Sequence, residues 1–280
     1  MTPEPETAGI DPVPRAAERP PEGGNRLGLR GDLIMALRFF SRLPTGDSPH
    51  ARPDLGRIAM ALPLAALVMG ALPALLLVGG GAAGLPGYFA AALAVAAMVA
   101  VGGGMMEDSL ADAADGLFGG ATPARRLEIL KDSRHGTYGV AALCLFLVLR
   151  VTALGALTVN NPLAAMGLWL SANIAGRSGA MWVAVALSPA RKDGASASAG
   201  PLPASRFVVG AALAALLAFI AGAPFSSLLG VVLALFAVAL IVWGWAALCR
   251  RLVGGQTGDL IGAAAGLGEI AALTILLIFA

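Results

Sequence analysis

Long apolar stretches alternate with short polar links along almost the whole chain. The apolar stretches run at about Ile58–Val78, Leu85–Val101, Val140–Val159, Leu163–Leu187, Phe207–Ala221, Phe225–Leu248 and Leu260–Ala280. Each is near the ~20 residues that carry a helix across the hydrocarbon core of a bilayer. The pattern predicts an all-α, polytopic membrane helical bundle of about seven transmembrane helices. Ahead of them, Leu33, Leu37 and Phe40 share one helical face, Arg38 and Arg42 share another, and Pro44 ends the run. That segment suits an N-terminal helix lying in the membrane interface, with Asp32 as its N-cap. Residues 1–30 hold six prolines and almost no apolar periodicity. A disordered tail is therefore expected over residues 1–31, and one membrane-embedded domain over residues 32–280.

The links differ in charge. Those at 79–84, 160–162 and 222–224 hold no charged residue, whereas those at 102–139, 188–206 and 249–259 hold Arg125, Arg126, Lys131, Arg134, Arg191, Arg206, Arg250 and Arg251 among others. Short loops rich in Lys and Arg remain on the cytosolic side. The expected topology has the N-terminus inside and the C-terminus outside, in a bacterial inner (cytoplasmic) membrane.

Composition agrees: 58% of residues are hydrophobic, 13% are charged, and the mean hydropathy is +0.80. Soluble domains are nearer one quarter charged. The two cysteines, Cys144 and Cys249, fall in or beside apolar runs and read as buried thiols without a disulfide framework. With two histidines in all, any metal is expected on oxygen ligands. The arginines are explained by topology and phosphate, and no nucleic-acid partner is expected.

Candidate chemistry gathers in the longest charged link. Asp108, Asp112 and Asp115 stand at i, i+4 and i+7, which places three carboxylates on one helical face. Such acids repel one another unless a cation compensates, and Mg²⁺ takes carboxylate and phosphate oxygens together. A solvated acidic face without a ligand is the plainer alternative. Beyond it, Thr122 and Pro123 start a second helix, Asp132 could add a fourth carboxylate, and Lys131 and Arg134 suit phosphate. His135 reads as a helix-end residue. The link Gly254–Asp259 is glycine-rich and opens a helix, a weak phosphate signal by itself. Arg150, Arg177 and Glu269 lie within apolar stretches, Arg150 at roughly 18 Å of helical rise from Tyr138. At that depth a pairing of Arg150 with Glu269 is expected.

In family order the chain carries Ala36 to Pro44, Asp108 to Gly116, Leu127 to Arg134 with Gly136 and Gly139, Ala190-Arg191, and Gly254 to Asp259 running on to Ala263. With these elements the sequence resembles the cobalamin synthase family, the adenosylcobinamide-GDP ribazoletransferases, from about residue 32 to the C-terminus. The resemblance implies transfer of a phosphocobinamide moiety from adenosylcobinamide-GDP to α-ribazole or α-ribazole 5′-phosphate, with release of GMP and Mg²⁺ as cofactor. It also implies the company of other enzymes of cobalamin synthesis. Carried over, the metal ligands are Asp108, Asp112 and Asp115. Catalysis falls to these three and Asp132, and substrate phosphate to Lys131, Arg134, Arg191 and Asp259. Three positions depart from the family pattern: Met106 replaces a histidine, Ser109 a glycine and Gly266 a glutamate.

Two other readings stand beside this one. A CDP-alcohol phosphotransferase making phospholipid also uses clustered aspartates, but its Asp-x-x-Asp-Gly spacing is not met here. A transporter would use Arg150, Arg177 and Glu269 as a path, yet would leave the acidic link unexplained.

Overall fold

A computed structural model of the chain describes residues 28–47, 52–132, 134–191 and 198–280. Its helices are α1 (Leu29–Phe40), α2 (Leu55–Ala82), α3 (Gly87–Gly102), α4 (Met105–Gly119), α5 (Pro123–Ile129) and α6 (Thr137–Asn160). After these come α7 (Pro162–Ala180), α8 (Trp182–Ala186), α9 (Ala204–Gly222), α10 (Leu228–Val253) and α11 (Gly258–Ile278). One isolated bridge, Pro189 to Gln256, is the extended pairing among the described residues.

Local signals account for most helix starts. Asp54 caps α2 by accepting from Arg57 N at 3.0 Å. Asn161 caps α7 through Leu163 N and Ala164 N, with Pro162 at the first helical position. Thr122 caps α5 ahead of Pro123, as the sequence predicts. Asp32 behaves differently from expectation. Helix α1 begins at Leu29, and Asp32 sits inside its first turn, where it pairs with Arg57 at 2.7 Å. A carboxylate there gains from both the helix N-terminus and the arginine, so it need not cap. Residues 29–31 of the expected tail thus belong to α1, and residues 1–27 lie outside the described residues.

Helices occupy all seven apolar stretches, but length and composition do not confirm seven spans. Five helices, α2, α6, α9, α10 and α11, are long and apolar enough to cross a membrane. A sixth crossing is reached if α3 and α4 count as one broken span, their axes bent by 86°. The bend is made by Gly103 and Gly104, both in left-handed backbone (φ 64° and 68°) that other residues adopt at a cost. Helix α7 falls short because Ser171, Asn173, Arg177 and Ser178 dilute its hydropathy. It does not need lipid on its surface, since it is the central helix, packed on α11, α2 and α9. The sequence run Leu163–Leu187 is interrupted as well, at Met181 between α7 and α8.

Small residues let these helices approach closely. A Cβ on Gly176 would lie 2.6 Å from the backbone nitrogen of Glu269, so α7 and α11 touch along their backbones. The outer helices instead turn bulky side chains such as Leu145, Phe236 and Trp243 outward, as lipid-facing surfaces do. Cys144 is likewise exposed, against expectation, and only Cys249 is buried. The charged links collect at one end, where Arg126 Nη1 donates to Leu252 O and Arg250 Nη2 to Ala186 O. The uncharged links collect at the other, where Pro162 packs on Gly81 and Ser227 N bonds Phe279 O.

Arg150 sits at the centre of the bundle. Its Nε and Nη2 donate to Glu269 at 2.7 and 2.9 Å, and its Nη1 to Glu107 Oε1 at 3.0 Å. Trp169 Nε1 adds a bond to Glu269 at 3.0 Å, and the Phe146 ring lies 4.7 Å from the guanidinium carbon. The expected Arg150–Glu269 pair is present, joined by an acid the sequence reading left aside. Removing one member of a buried pair strands the other, at about 3–5 kcal/mol. Glu269→Gln should therefore lower the thermal unfolding midpoint of the detergent-solubilised protein sharply. An unchanged midpoint would show that the cluster does not hold the helices together.

Candidate active site at the charged end of the bundle

Helix α4 leaves the Gly103–Gly104 bend and runs back beside α6. Its first turn reaches Arg150 through Glu107, and its later turns reach the start of α6. The three aspartates thereby face the segment His135–Gly139, but they do different work. Asp115 is buried, and its two oxygens accept from Gly136 N at 2.6 Å and Gly139 N at 2.9 Å. It satisfies free N–H groups at the N-terminus of α6, and a Cβ on either glycine would collide with it. Asp108 and Asp112 instead point to His135, at 3.6 Å from Nε2 and 3.5 Å from Nδ1 respectively.

Ligand atoms of Asp108, Asp112 and His135 lie within 4.8 Å of one another, close enough to surround one cation. Burial pushes the Asp112 carboxyl up to about 6, and the charges of Asp108 and Asp259 push the same way while His135 opposes them. A site that resists ionising its own carboxylate is one where a divalent cation relieves the repulsion. The pair of oxygen donors fits a hard ion such as Mg²⁺. His135, read from sequence as a helix-end residue, is the group that sequence reasoning missed. Its distance from the acids along the chain hid it; its place next to Gly136, the residue that Asp115 holds, was the available signal.

Asp132 is not brought to this group. It lies in the loop after α5 and grips Arg134 in a two-bond pair, 2.9 and 2.7 Å long. The Arg134 hydrogen bonds hold its carboxyl down at about 2. Arg134 and Lys131 are exposed at the rim. Arg126 is structural: its Nε donates to Leu117 O at 3.1 Å and its Nη1 ties α5 to the end of α10.

The second half of the site comes from the far end of the sequence. Gln256 N bonds Ser188 O and Ala190 N bonds Gln256 O, so the glycine-rich link clasps the residues after α8. Gly255 permits the approach, since a Cβ there would lie 2.6 Å from Ser188 O. The clasp sets Arg191 against Asp259, with Nη2 and Oδ2 3.5 Å apart. Arg191 Nε and Nη1 are buried and find no hydrogen-bond partner among the described residues. Asp259 in turn accepts from Thr257 Oγ1 at 3.4 Å. Asp112 thus feels carboxylates from both α4 and α11.

Two departures from the family pattern meet in space. A Cβ on Gly266 would lie 3.8 Å from Met106 Cγ and 3.4 Å from the Phe146 ring. The two positions thus lie against each other, as an apolar pair in this chain. Gly266→Glu alone should destabilise the protein and Met106→His should offset part of the loss, with a coupling of about 1 kcal/mol or more in a double-mutant cycle. Additive effects would separate the two positions.

Asp112 also sets a pH dependence. Its folded-state value of about 6 exceeds the ordinary carboxylate range, so the folded state keeps a proton that the unfolded chain releases. That contribution is full below about pH 4 and is lost as pH rises through about 6. Metal-free Asp112→Asn should therefore unfold at a higher temperature than the parent at pH 7.5, with the gap closing near pH 4. Added Mg²⁺ should raise the parent's midpoint and not the variant's; equal shifts would remove Asp112 from the cation site.

Comparisons with known proteins agree with this geometry. Residues 32–277 match the family described as Cobalamin-5-phosphate synthase. A protein of Azorhizobium caulinodans named adenosylcobinamide-GDP ribazoletransferase is 43% identical over 256 residues, 90% of this chain and 97% of that one. Its namesake in Xanthobacter autotrophicus is 44% identical over 261 residues, covering 89% and 96% of the two chains. A third, from Bradyrhizobium diazoefficiens, is 40% identical over 245 residues, or 87% and 92%. No solved structure matches the chain. With the match extending from α1 to the end of α11, the chain belongs to the cobalamin-5-phosphate synthase family.

Proposed function

We propose that the chain is an adenosylcobinamide-GDP ribazoletransferase of the bacterial inner membrane, with its active site on the cytosolic side. The observation that carries this reading is the meeting of Asp108, Asp112 and His135 with Arg191 and Asp259 at one end of the bundle. The Arg-rich links at that end support the cytosolic side.

The reaction joins a hydroxyl of α-ribazole, or of its 5′-phosphate, to the phosphorus that bears the cobinamide. The bond from that phosphorus to GMP breaks, and GMP leaves with the bonding electrons. Asp108 and Asp112 would hold Mg²⁺, which would supply positive charge against the pyrophosphate oxygens. Arg191 supplies buried N–H donors with no partner among the described residues, poised for phosphate oxygens that gain charge as the bond breaks. Asp259 orients that guanidinium. A hard cation favours oxygen over an imidazole nitrogen. His135 is thereby left free to accept the proton of the attacking hydroxyl, its ring nitrogens 3.6 and 3.5 Å from the two carboxylates. Asp115 positions His135 by fixing the adjacent backbone. Asp132, paired with Arg134 at the rim, takes no part in the chemistry and helps present that arginine to the incoming substrate.

GMP release by the purified protein in lipid nanodiscs tests the assignment. Asp108→Asn and Asp112→Asn should each lower the Mg²⁺-dependent rate by about a hundredfold or more, and His135→Ala by about 10²–10⁴ in kcat. Asp132→Asn should retain most of the rate. Undiminished GMP release in both aspartate variants would end the metal role, and a silent parent protein would end the transferase reading.

A further inference from the structure

A second buried arginine lacks what Arg150 has. Arg177 is 7% exposed, and its Nε donates to Asn173 Oδ1 at 2.8 Å. Asn173 is itself fixed, its Nδ2 bonding Ala66 O at 3.0 Å. The two terminal nitrogens of Arg177 have no protein partner among the described residues. The nearby acids do not serve it, because Glu107 and Glu269 are both engaged by Arg150. A guanidinium at this depth with two donors open is set for an anion from outside the protein.

Those donors face a cavity of about 340 Å³ enclosed by α1, α4, α7 and α11. Exposed Arg38 of α1 lines it as well, so two cations address one space. Its remaining wall is mostly apolar, with Phe40, Met106 and Ile261 among the lining residues. Asp108 belongs both to this cavity and to the cation cluster, so the cavity opens onto the reacting centre. The occupant therefore combines an anionic group with a flat apolar body and reaches the reaction at one end. A volume of 340 Å³ is at the lower end of small-molecule pockets, nearer the size of the acceptor than of a corrin ring carrying a nucleotide. A benzimidazole suits the aromatic and thioether contacts of this wall. A phosphomonoester, with close to two negative charges, matches a pair of guanidiniums.

Resting on the transferase reading, we propose that this cavity is the acceptor site, and that Arg177 and Arg38 bind the 5′-phosphate of α-ribazole 5′-phosphate. The two arginines then determine a preference for the phosphorylated over the unphosphorylated acceptor. Of the residues assigned from sequence to substrate phosphate, the cations Lys131, Arg134 and Arg191 remain for the donor.

Steady-state GMP release with α-ribazole and with its 5′-phosphate tests this in the parent, Arg38→Gln and Arg177→Gln. Each substitution should lower the ratio of kcat/KM for the phosphorylated over the unphosphorylated acceptor by tenfold or more, through the acceptor's KM. Arg177→Lys should recover part of the ratio. A rise confined to the donor's KM would assign the arginines to its pyrophosphate and overturn the proposal. An equal loss on both acceptors would reduce them to a structural role, with the same consequence. Arg38 is exposed, so its variant still decides the question if Arg177→Gln does not fold. Binding is read separately by the thermal shift that α-ribazole 5′-phosphate alone produces. The shift should be present in the parent and absent in Arg38→Gln; its absence in the parent overturns the site. A parent that shows the shift but releases no GMP would fail the transferase reading and leave the binding site standing.

Discussion

Arg150 makes three hydrogen bonds to two carboxylates contributed by different helices, in a place where water cannot help. Lipid offers apolar helices little reason to prefer one another, so specific polar bonds and close backbone contacts must choose the arrangement. This cluster fixes α6 against α11 and sets how far α4 enters the bundle. The entry of α4 in turn fixes where Asp108, Asp112 and Asp115 arrive at the charged end. Displacing Glu107 by one turn would move the three aspartates of α4 by about 5 Å. The chemistry at the surface therefore depends on a bond made deep below it.

The same helix shows how one motif serves two purposes. Asp108 and Asp112 create a field that calls for a cation, whereas Asp115 spends both oxygens on the backbone of the link that carries His135. Regular spacing along α4 makes the three acids look equivalent. What separates them is the neighbour each one meets, and those neighbours come from a segment more than a turn beyond the helix.

This limits what the sequence could tell. Helical class, the two-ended charge pattern, the acidic face and the Arg150–Glu269 pair were all legible, because each follows from periodicity, loop charge or the cost of a buried ion. The exact span count was less so, since five helices pass on length and composition alone. Hydropathy cannot distinguish α7, which is shielded on all sides by other helices, from a lipid-exposed crossing, nor foresee that two left-handed glycines break α3 from α4. His135 and Arg177 were also misjudged or left undeveloped, since their meaning comes from residues far away in the chain. The clasp between Gly255 and Ser188 belongs to the same category: a glycine pair reads as a loop until the segment it meets is seen.

The separation between partners in the buried cluster bears on how the chain is made. Arg150 emerges 43 residues after Glu107 and 119 residues before Glu269. The first counter-ion of Arg150 thus comes from a helix made before it and the second from one made long after it. Among the described residues, Glu107 alone can pair the arginine from the N-terminal side, and full pairing requires α11 in place.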